Sequence, residues 1–370
     1  MNAFARTDRS LLGQWWWTVD RFLLIGIGLL ILFGIIMVLA SSPPIARNLK
    51  LDQMHFVIKH FTVLVPTALG LFGVSLLAPR GVLRLAVGVL ALFAVLTLAT
   101  LWLAPEIKGA HRWLFIGGQQ LQPSEFMKPA LAVVTAWLLA SRPGLGGLPA
   151  ALLLVGPTVA LLLLQPDLGM ATVVVAFFSI QLFVAGLGWL PIIILGGAGV
   201  AGLWGAYQLL PHVRDRVDGF LDPTAEVYQV ERALSAVQSG GLFGRGPGEG
   251  VVKFRLPEAH SDFVFATVAE EFGIIICLVL VAVFCALVLR ALWRTQLNPN
   301  RFVQLAATGL VAQFGLQALI NMAVNLNLVP TKGMTLPFIS YGGSSLLAVA
   351  LTMGMLLALT RRGARLEPVP

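Results

Sequence analysis

Long apolar runs, broken by short polar clusters, recur from one end of the chain to the other. The first, residues 22–40, carries no charge, and a bilayer core needs about 20 apolar residues per helix. It exceeds the apolar core of about 7–15 residues in a cleavable signal, so it reads as an uncleaved first span. Trp15, Trp16 and Trp17 just before it make an interfacial anchor. Further spans are expected at about 61–78, 85–104, 124–140 and 149–164. The uncharged stretch 169–211 is long enough for two passes, turned at Gly186, Gly188 and Pro191. The last three spans are expected at about 262–289, 302–329 and 340–360. The pattern predicts an all-α polytopic membrane protein with about ten transmembrane helices. Residues 1–370 form a single integral membrane domain in this reading, with one long loop at 212–261.

Composition agrees with that pattern. The chain is 58% hydrophobic and only 11% charged, against about 25% charged residues in soluble domains, which excludes an ordinary soluble protein. The net charge of +8 sorts by side. Arg80, Arg84, Arg142, Arg290, Arg294 and Arg301 fall in loops on the side of the termini, where acids are few. By the positive-inside rule that side is cytoplasmic, so both termini are cytoplasmic and the long loop is extracytoplasmic. The basic excess orients the chain and does not call for nucleic acid. Cys277 and Cys285 sit eight apart in one apolar run, roughly 12 Å along a helix, beyond disulfide reach.

Loops longer than about 15 residues are usually functional or disordered. In the long loop, residues 227–239 have apolar positions at helical spacing and stop at Gly240-Gly241, as an amphipathic helix with a glycine C-cap would. The stretch Gly240-Gly-Leu-Phe-Gly-Arg-Gly-Pro-Gly-Glu-Gly250 follows. Its backbone N–H groups can converge on an anion, or it can serve as a flexible linker.

Ionisable groups within spans are functional candidates by default. Glu125 and Lys128 lie three apart at the mouth of the fourth span and can pair, as a structural lock or as part of a substrate site. Glu270 and Glu271 point about 100° apart on the eighth span, so one of them is expected to meet a cation inside the bundle. Gln313, Gln317, Asn321 and Asn325 form a stripe at a spacing of four on the ninth. That stripe must face the bundle, because unsatisfied amides are penalised in hydrocarbon. Helix–helix hydrogen bonding and cavity lining both fit it. Every span-associated acid, and Lys128, lies toward the outer half. Chemistry at the outer leaflet wants polar groups at one end, whereas a carrier wants them along the whole path.

Asp262 opens the eighth span at its junction with the long loop. One reading is a helix cap favoured by the dipole; the other is a partly buried carboxylate serving as general base. His260 and Ser261 beside it are either its partners or plain loop residues. Arg112, Lys332 and Asp167 lie on other outer loops, and Arg and Lys are natural partners of a diphosphate or simple interfacial anchors. No zinc-like spacing links the histidines. From the residues alone, this is an outer-face site with one exposed acid and several cations, suited to an anionic lipid.

The segments Gln122-Pro-Ser-Glu125, Gln165-Pro-Asp-Leu-Gly169, Pro257-Glu-Ala-His-Ser-Asp-Phe263 and Pro337-Phe-Ile-Ser-Tyr-Gly-Gly-Ser-Ser345 occur in this order. Together they resemble the SEDS (shape, elongation, division and sporulation) family. Thr331-Lys-Gly-Met-Thr335 and Gly244-Arg-Gly-Pro-Gly-Glu-Gly250 look like its cell-division branch rather than its elongation branch. The resemblance implies a peptidoglycan glycosyltransferase that polymerises lipid II at the outer face of the cytoplasmic (inner) membrane. In this branch the work is done at the division septum, with a cognate class B penicillin-binding protein and other division proteins. Asp262 matches the family's essential aspartate, Glu125 and Lys128 its charged pair, and Arg112 its loop arginine. Ser261 stands where the family usually has threonine, keeping the hydroxyl.

The chemistry expected is direct displacement. Asp262 acts as catalytic base, and Arg112, Glu125, Lys128, Lys332, His260 and Ser261 are the substrate-binding candidates. Cations, or a divalent ion that no evident ligand cluster holds, meet the departing diphosphate. A lipid II flippase and a non-catalytic division scaffold that recruits the transpeptidase are the alternatives.

Overall fold

Helices occupy each of the expected apolar stretches. The computed structural model describes residues 10–362, apart from 49, 108–109, 118, 143, 210–213, 215–217, 219–227, 257 and 331–332. A short interfacial helix α1 (Leu11–Thr18) leads into α2 (Arg21–Asn48), α3 (His55–Ser75), α4 (Pro79–Leu103) and α5 (Pro123–Ser141). Then come α6 (Leu148–Leu164), α7 (Leu168–Val184), α8 (Trp189–Leu209) and the loop helix α9 (Tyr228–Gly240). The chain closes with α10 (Val264–Gln296), α11 (Arg301–Asn325) and α12 (Gly343–Thr360). Among the described residues, seven helical segments are long and apolar enough to cross a membrane, and α7 is apolar but shorter.

One element escapes the all-α expectation. Between α4 and α5, β1 (Leu114–Ile116) pairs antiparallel with β2 (Gln119–Leu121), Leu114 facing Leu121. The hairpin is too short to show alternation in the sequence, and it delivers the chain into the first turn of α5.

Burial separates two central helices from the rest. The most apolar window of α12 is 83% buried and that of α11 is 67%, whereas those of α2, α3, α4, α6 and α10 are between 17% and 33%. A helix exposed on most of its circumference to an apolar surrounding has to be apolar all round. A helix enclosed by others can carry amides, provided they find partners. The stripe Gln313, Gln317, Asn321 and Asn325 lies on α11, where all four are buried, and Gln317, Asn321 and Asn325 find partners there.

Side-chain caps fix the starts of α2 and α11. Asp20 Oδ1 accepts from the N–H of Phe22 and Leu23 at the start of α2. Asn300 does the same for Phe302 and Val303 at α11, satisfying donors the first turn leaves open. The loop helix ends at Gly240, with Gly241 in the left-handed conformation (φ 57°) expected of a glycine C-cap. Its Ala233 and Ala236 are buried against Leu256, Ala259, Phe263 and Ala266, so the described part of the long loop rests on the beginning of α10. Cys277 and Cys285 are both free thiols, as their spacing required.

Candidate functional site

The motif residues converge at one end of the bundle, around the start of α5, α10 and α12. Phe263 is the N-cap of α10 and makes no side-chain capping bond, so Asp262 lies one position outside the cap. The N–H of Ala266, in the first turn, donates instead to Asn325 Oδ1 of α11 at 2.9 Å. Asn325 Nδ2 in turn donates to the Asp262 main-chain oxygen at 3.0 Å, and Asn321 Nδ2 donates to the same oxygen at 2.9 Å. Two amides of the α11 stripe therefore fix the backbone of Asp262, and a neighbouring helix takes the capping task. Gly333 lies beside the carboxylate: a β-carbon there would sit 3.3 Å from Asp262 Oδ2. Lys332 lies outside the described residues.

Ser261 and His260 are held by the final motif. Ser340 Oγ donates to the Ser261 carbonyl at 2.5 Å, and the Tyr341 N–H donates to the His260 carbonyl at 2.8 Å. The His260 ring packs against Phe56 and Tyr341, each centroid 5.0 Å away, and its Nδ1 has no hydrogen-bond partner. Burial there pushes His260 down to about 4, opposed only by the charge of Glu258. At neutral pH it is an uncharged aromatic wedge and offers no cation to a diphosphate.

Glu125 and Lys128 pair at 2.9 Å, with the lysine side chain 1% exposed. Lys128 Nζ also donates to Gln317 Oε1 at 3.4 Å. Gln317 Nε2 reaches the Thr335 carbonyl at 3.1 Å and Ser345 Oγ at 3.3 Å. The pair is thus linked through Gln317 of α11 to the segments carrying Thr335 and Ser345, and in this conformation Lys128 is shut off from solvent.

Arg112 is clamped to the turn before α7. Its Nε donates to the Gln165 carbonyl at 2.7 Å, another of its nitrogens bonds the Pro166 carbonyl, and Nη1 stands 3.7 Å from Asp167 Oδ2. Asp167 caps α7 through Met170 and accepts from Gln122 Nε2 at 3.2 Å. The Gln122 N–H donates to Ser344 Oγ. A polar chain therefore runs from Arg112 to α12, and Arg112 keeps an accessible edge at the rim.

The glycine-rich stretch has a different use from either reading of it. Gly273 breaks α10 with φ 78° and ψ 176°. A side chain there would fall 2.3 Å from the Leu242 carbonyl. Across the break the loop exchanges backbone hydrogen bonds with the helix: Arg245 and Gly246 N–H donate to the carbonyls of Glu270 and Glu271, and Ile274 and Ile275 N–H donate to Gly241 and Leu242. Three consecutive N–H groups, of Val251, Val252 and Lys253, converge on the Glu270 carboxylate at 2.6, 2.6 and 3.0 Å. An anion is bound, and it belongs to the chain itself.

Lys253 is the residue that sequence reasoning missed. Buried, it pairs with Glu271 and donates to the carbonyls of Gly248 and Ala40, both at 3.0 Å. Pro44 has no N–H, so within α2 the Ala40 carbonyl lacks its usual donor, and the lysine fills that place. Among the described residues, no group of three or more His, Cys, Asp or Glu could hold a metal ion.

The fold and site define a class: a polytopic helical membrane protein whose polar machinery is gathered at one end of its bundle. Residues 20–364 match the family model described as "Cell cycle protein", that of FtsW, RodA and SpoVE, and the chain belongs to this family. A probable peptidoglycan glycosyltransferase FtsW of Caulobacter vibrioides is 45% identical over 366 residues, covering 98% of this chain and 94% of that one. The like-named protein of Trichlorobacter lovleyi is 35% identical, with 95% of each covered. Among solved structures, a chain of a peptidoglycan synthase complex that coordinates polymerization and crosslinking superposes with a TM-score of 0.80 at 27% identity. The match covers 95% of this chain and 99% of that chain. The rod shape determining protein RodA of Thermus thermophilus gives 0.71 at 28% identity over the same shares.

Proposed function

We propose that this chain is a peptidoglycan glycosyltransferase that polymerises lipid II at the outer face of the cytoplasmic membrane, with Asp262 as general base. The observation that carries the assignment is the treatment of Asp262. Its backbone is fixed by Asn321 and Asn325, and Asn325 relieves it of bonding the Ala266 N–H. A residue needed only as a cap would not be held in place by another helix that does the capping.

In the proposed reaction, the Asp262 carboxylate takes the proton from the 4-hydroxyl of the acceptor N-acetylglucosamine. The oxygen forms a bond to the anomeric carbon of the donor N-acetylmuramic acid as the bond to undecaprenyl diphosphate breaks. Inversion turns the α-linked donor into a β-1,4 linkage, with one base and no covalent intermediate. The diphosphate leaves without protonation, so its developing charge wants cations placed in advance. Arg112 at the rim and Lys332 beside Gly333 take that part. Lys128 and Glu125 act from beneath, ordering Gln317 and the Ser345 hydroxyl, while Ser261 and neutral His260 shape the approach to Asp262.

The charge asymmetry of the loops supports the orientation of the chain in the membrane. Ten spans with both termini cytoplasmic form one integral membrane domain, 1–370. The loop 212–261 faces outward, toward a cognate class B penicillin-binding protein at the division septum. The relatives named FtsW and the resemblance to a chain of a synthase complex support both partner and site.

The test is a gel assay on labelled lipid II, with purified protein and its transpeptidase, wild type beside Asp262→Asn. A ladder of glycan strands from wild type alone supports the polymerase and its base. No ladder from either, with the complex intact, moves the assignment to a flippase or scaffold. A ladder from both means another acid serves.

A further inference from the structure

At the far end of α10 from Asp262, the bundle carries a cavity of about 320 Å³ lined by Trp17, Asp20, Arg21, Arg290, Arg294 and Arg362, among others. It collects four guanidinium groups around a single carboxylate. Asp20 is buried and holds two of them through Oδ2: Arg290 at 2.9 Å and Arg294 at 2.8 Å. Its Oδ1 is occupied by the first turn of α2. Asp20 can balance one positive charge, so the described lining carries a net positive charge equivalent to three.

The arginines are ordered rather than loosely solvated. Arg21 lies over the rings of Trp16 and Trp17, each 5.0 Å from the centroid, and Arg290 lies over Trp293 at 5.0 Å and Phe22 at 5.8 Å. Trp17 and Trp293 are themselves exposed, and exposed tryptophans at the ends of apolar helices sit at headgroup level. An anion-attracting cavity at that depth, between helix ends, meets one abundant partner. Guanidinium groups recognise phosphate oxygens by paired hydrogen bonds, and basic pockets between spans take up anionic headgroups.

We propose that this cavity binds a phosphate group, supplied by the headgroup of an anionic phospholipid in the leaflet opposite the candidate active site. Asp20 sets the spacing of Arg290 and Arg294, and Arg21 and Arg362 close on the phosphate from the two chain ends. The site ties the start of α2 to the ends of α10 and α12 through a lipid. It is independent of the glycosyltransferase reading.

The experiment measures binding of the full-length protein, in neutral detergent, to mixed micelles carrying dioleoylphosphatidylglycerol or dioleoylphosphatidylcholine. Arg21→Gln/Arg362→Gln is the informative variant, because it leaves the Asp20 pairs with Arg290 and Arg294 in place. Arg80→Gln/Arg84→Gln, which removes two exposed charges at the start of α4, controls for bulk charge. Saturable binding of phosphatidylglycerol over phosphatidylcholine is expected, weakened about thirtyfold by the first variant and little changed by the second. Competition by millimolar inorganic phosphate would assign the site to the phosphate group alone. No competition would assign it to the lipid headgroup, and either result upholds the cavity. Equal binding of the two lipids, or an equal loss in both variants, overturns the proposal.

Discussion

Asn325 and Asp262 are joined by a hydrogen bond from the amide of one to the main-chain oxygen of the other, 3.0 Å long. The same amide accepts from Ala266 and donates to the Asn321 carbonyl at 2.8 Å. One side chain therefore sets three things: where α10 begins, where Asp262 stands before it, and how both lie against α11. The role proposed for Asp262, meeting a sugar hydroxyl within hydrogen-bond distance, gains from a backbone held at this precision.

Replacing Asn325 with Ala leaves the Ala266 N–H and part of the Asp262 carbonyl without partners in a buried site. A loss of about 1–3 kcal/mol is expected, together with a fall in polymerisation of at least about tenfold through displacement of the proposed base. Thermal unfolding in detergent and the glycan ladder assay measure the two effects separately. Lower stability with an unchanged polymerisation rate would mean that Asn325 matters to the helix and not to Asp262.

The buried pair Lys253–Glu271 makes a different prediction. Removing one partner leaves a charge in a site with little water, at an expected cost of about 3–5 kcal/mol. Lys253→Met and Glu271→Leu should therefore each destabilise strongly, while the double variant should recover much of the loss. The Ala40 and Gly248 carbonyls would stay unsatisfied in it, so recovery should be incomplete. Additive losses in the double variant would show that the pair does not interact.

Much of this was legible in the sequence. The apolar runs located the helices, because a lipid-facing helix must be apolar nearly all round. The stripe from Gln313 to Asn325 was legible as inward-facing because amides cannot be left in hydrocarbon. Its targets were not, since those of Asn321 include the backbone of Asp262 and Met334 and those of Gln317 include Thr335 and Ser345, all brought close only by the fold. Lys253 was hidden for a related reason. It looks like a loop lysine, and its burial depends on a carbonyl freed by Pro44, more than 200 residues away. The expected cation partner for the Glu270–Glu271 pair was correct in kind, and it comes from the loop rather than from another span. The glycine run offered a linker or an anion cradle; the structure uses its flexibility to enter the break at Gly273, which no spacing rule marks.

The Glu125–Lys128 pair separates structure from access. Because Lys128 is buried against Glu125 and Gln317, Lys128→Met should destabilise by about 3 kcal/mol or more; Glu125→Gln keeps the shape and one acceptor but also leaves the Lys128 charge uncompensated, so some loss of stability is expected there too. If the pair positions Gln317 and Ser345 rather than touching lipid II, Glu125→Gln should lower the turnover rate while leaving the apparent affinity for lipid II within about twofold. Titrating lipid II against the initial rate of strand formation reads both parameters. A large rise in KM with unchanged turnover would put the pair in direct contact with substrate.

His260 gives the protein a defined response to acid. Its folded pKa, pushed down to about 4 by burial between Phe56 and Tyr341, lies below the unfolded value near 6.5. Between those values the unfolded chain binds a proton that the folded one refuses, so stability rises with pH across this window. The neutral-ring contribution is fully present above about pH 6.5. It is lost as pH falls toward 4, up to about 3 kcal/mol for the whole interval. His260→Phe keeps an aromatic ring beside Phe56 and Tyr341 and leaves the Tyr341 N–H its carbonyl acceptor, but it cannot take the proton. Melting temperatures at pH 7 and pH 4.5 should therefore fall further in wild type than in the variant, with carboxylate titrations common to both. An equal fall in the two proteins would place the acid sensitivity elsewhere and leave His260 without a share in it.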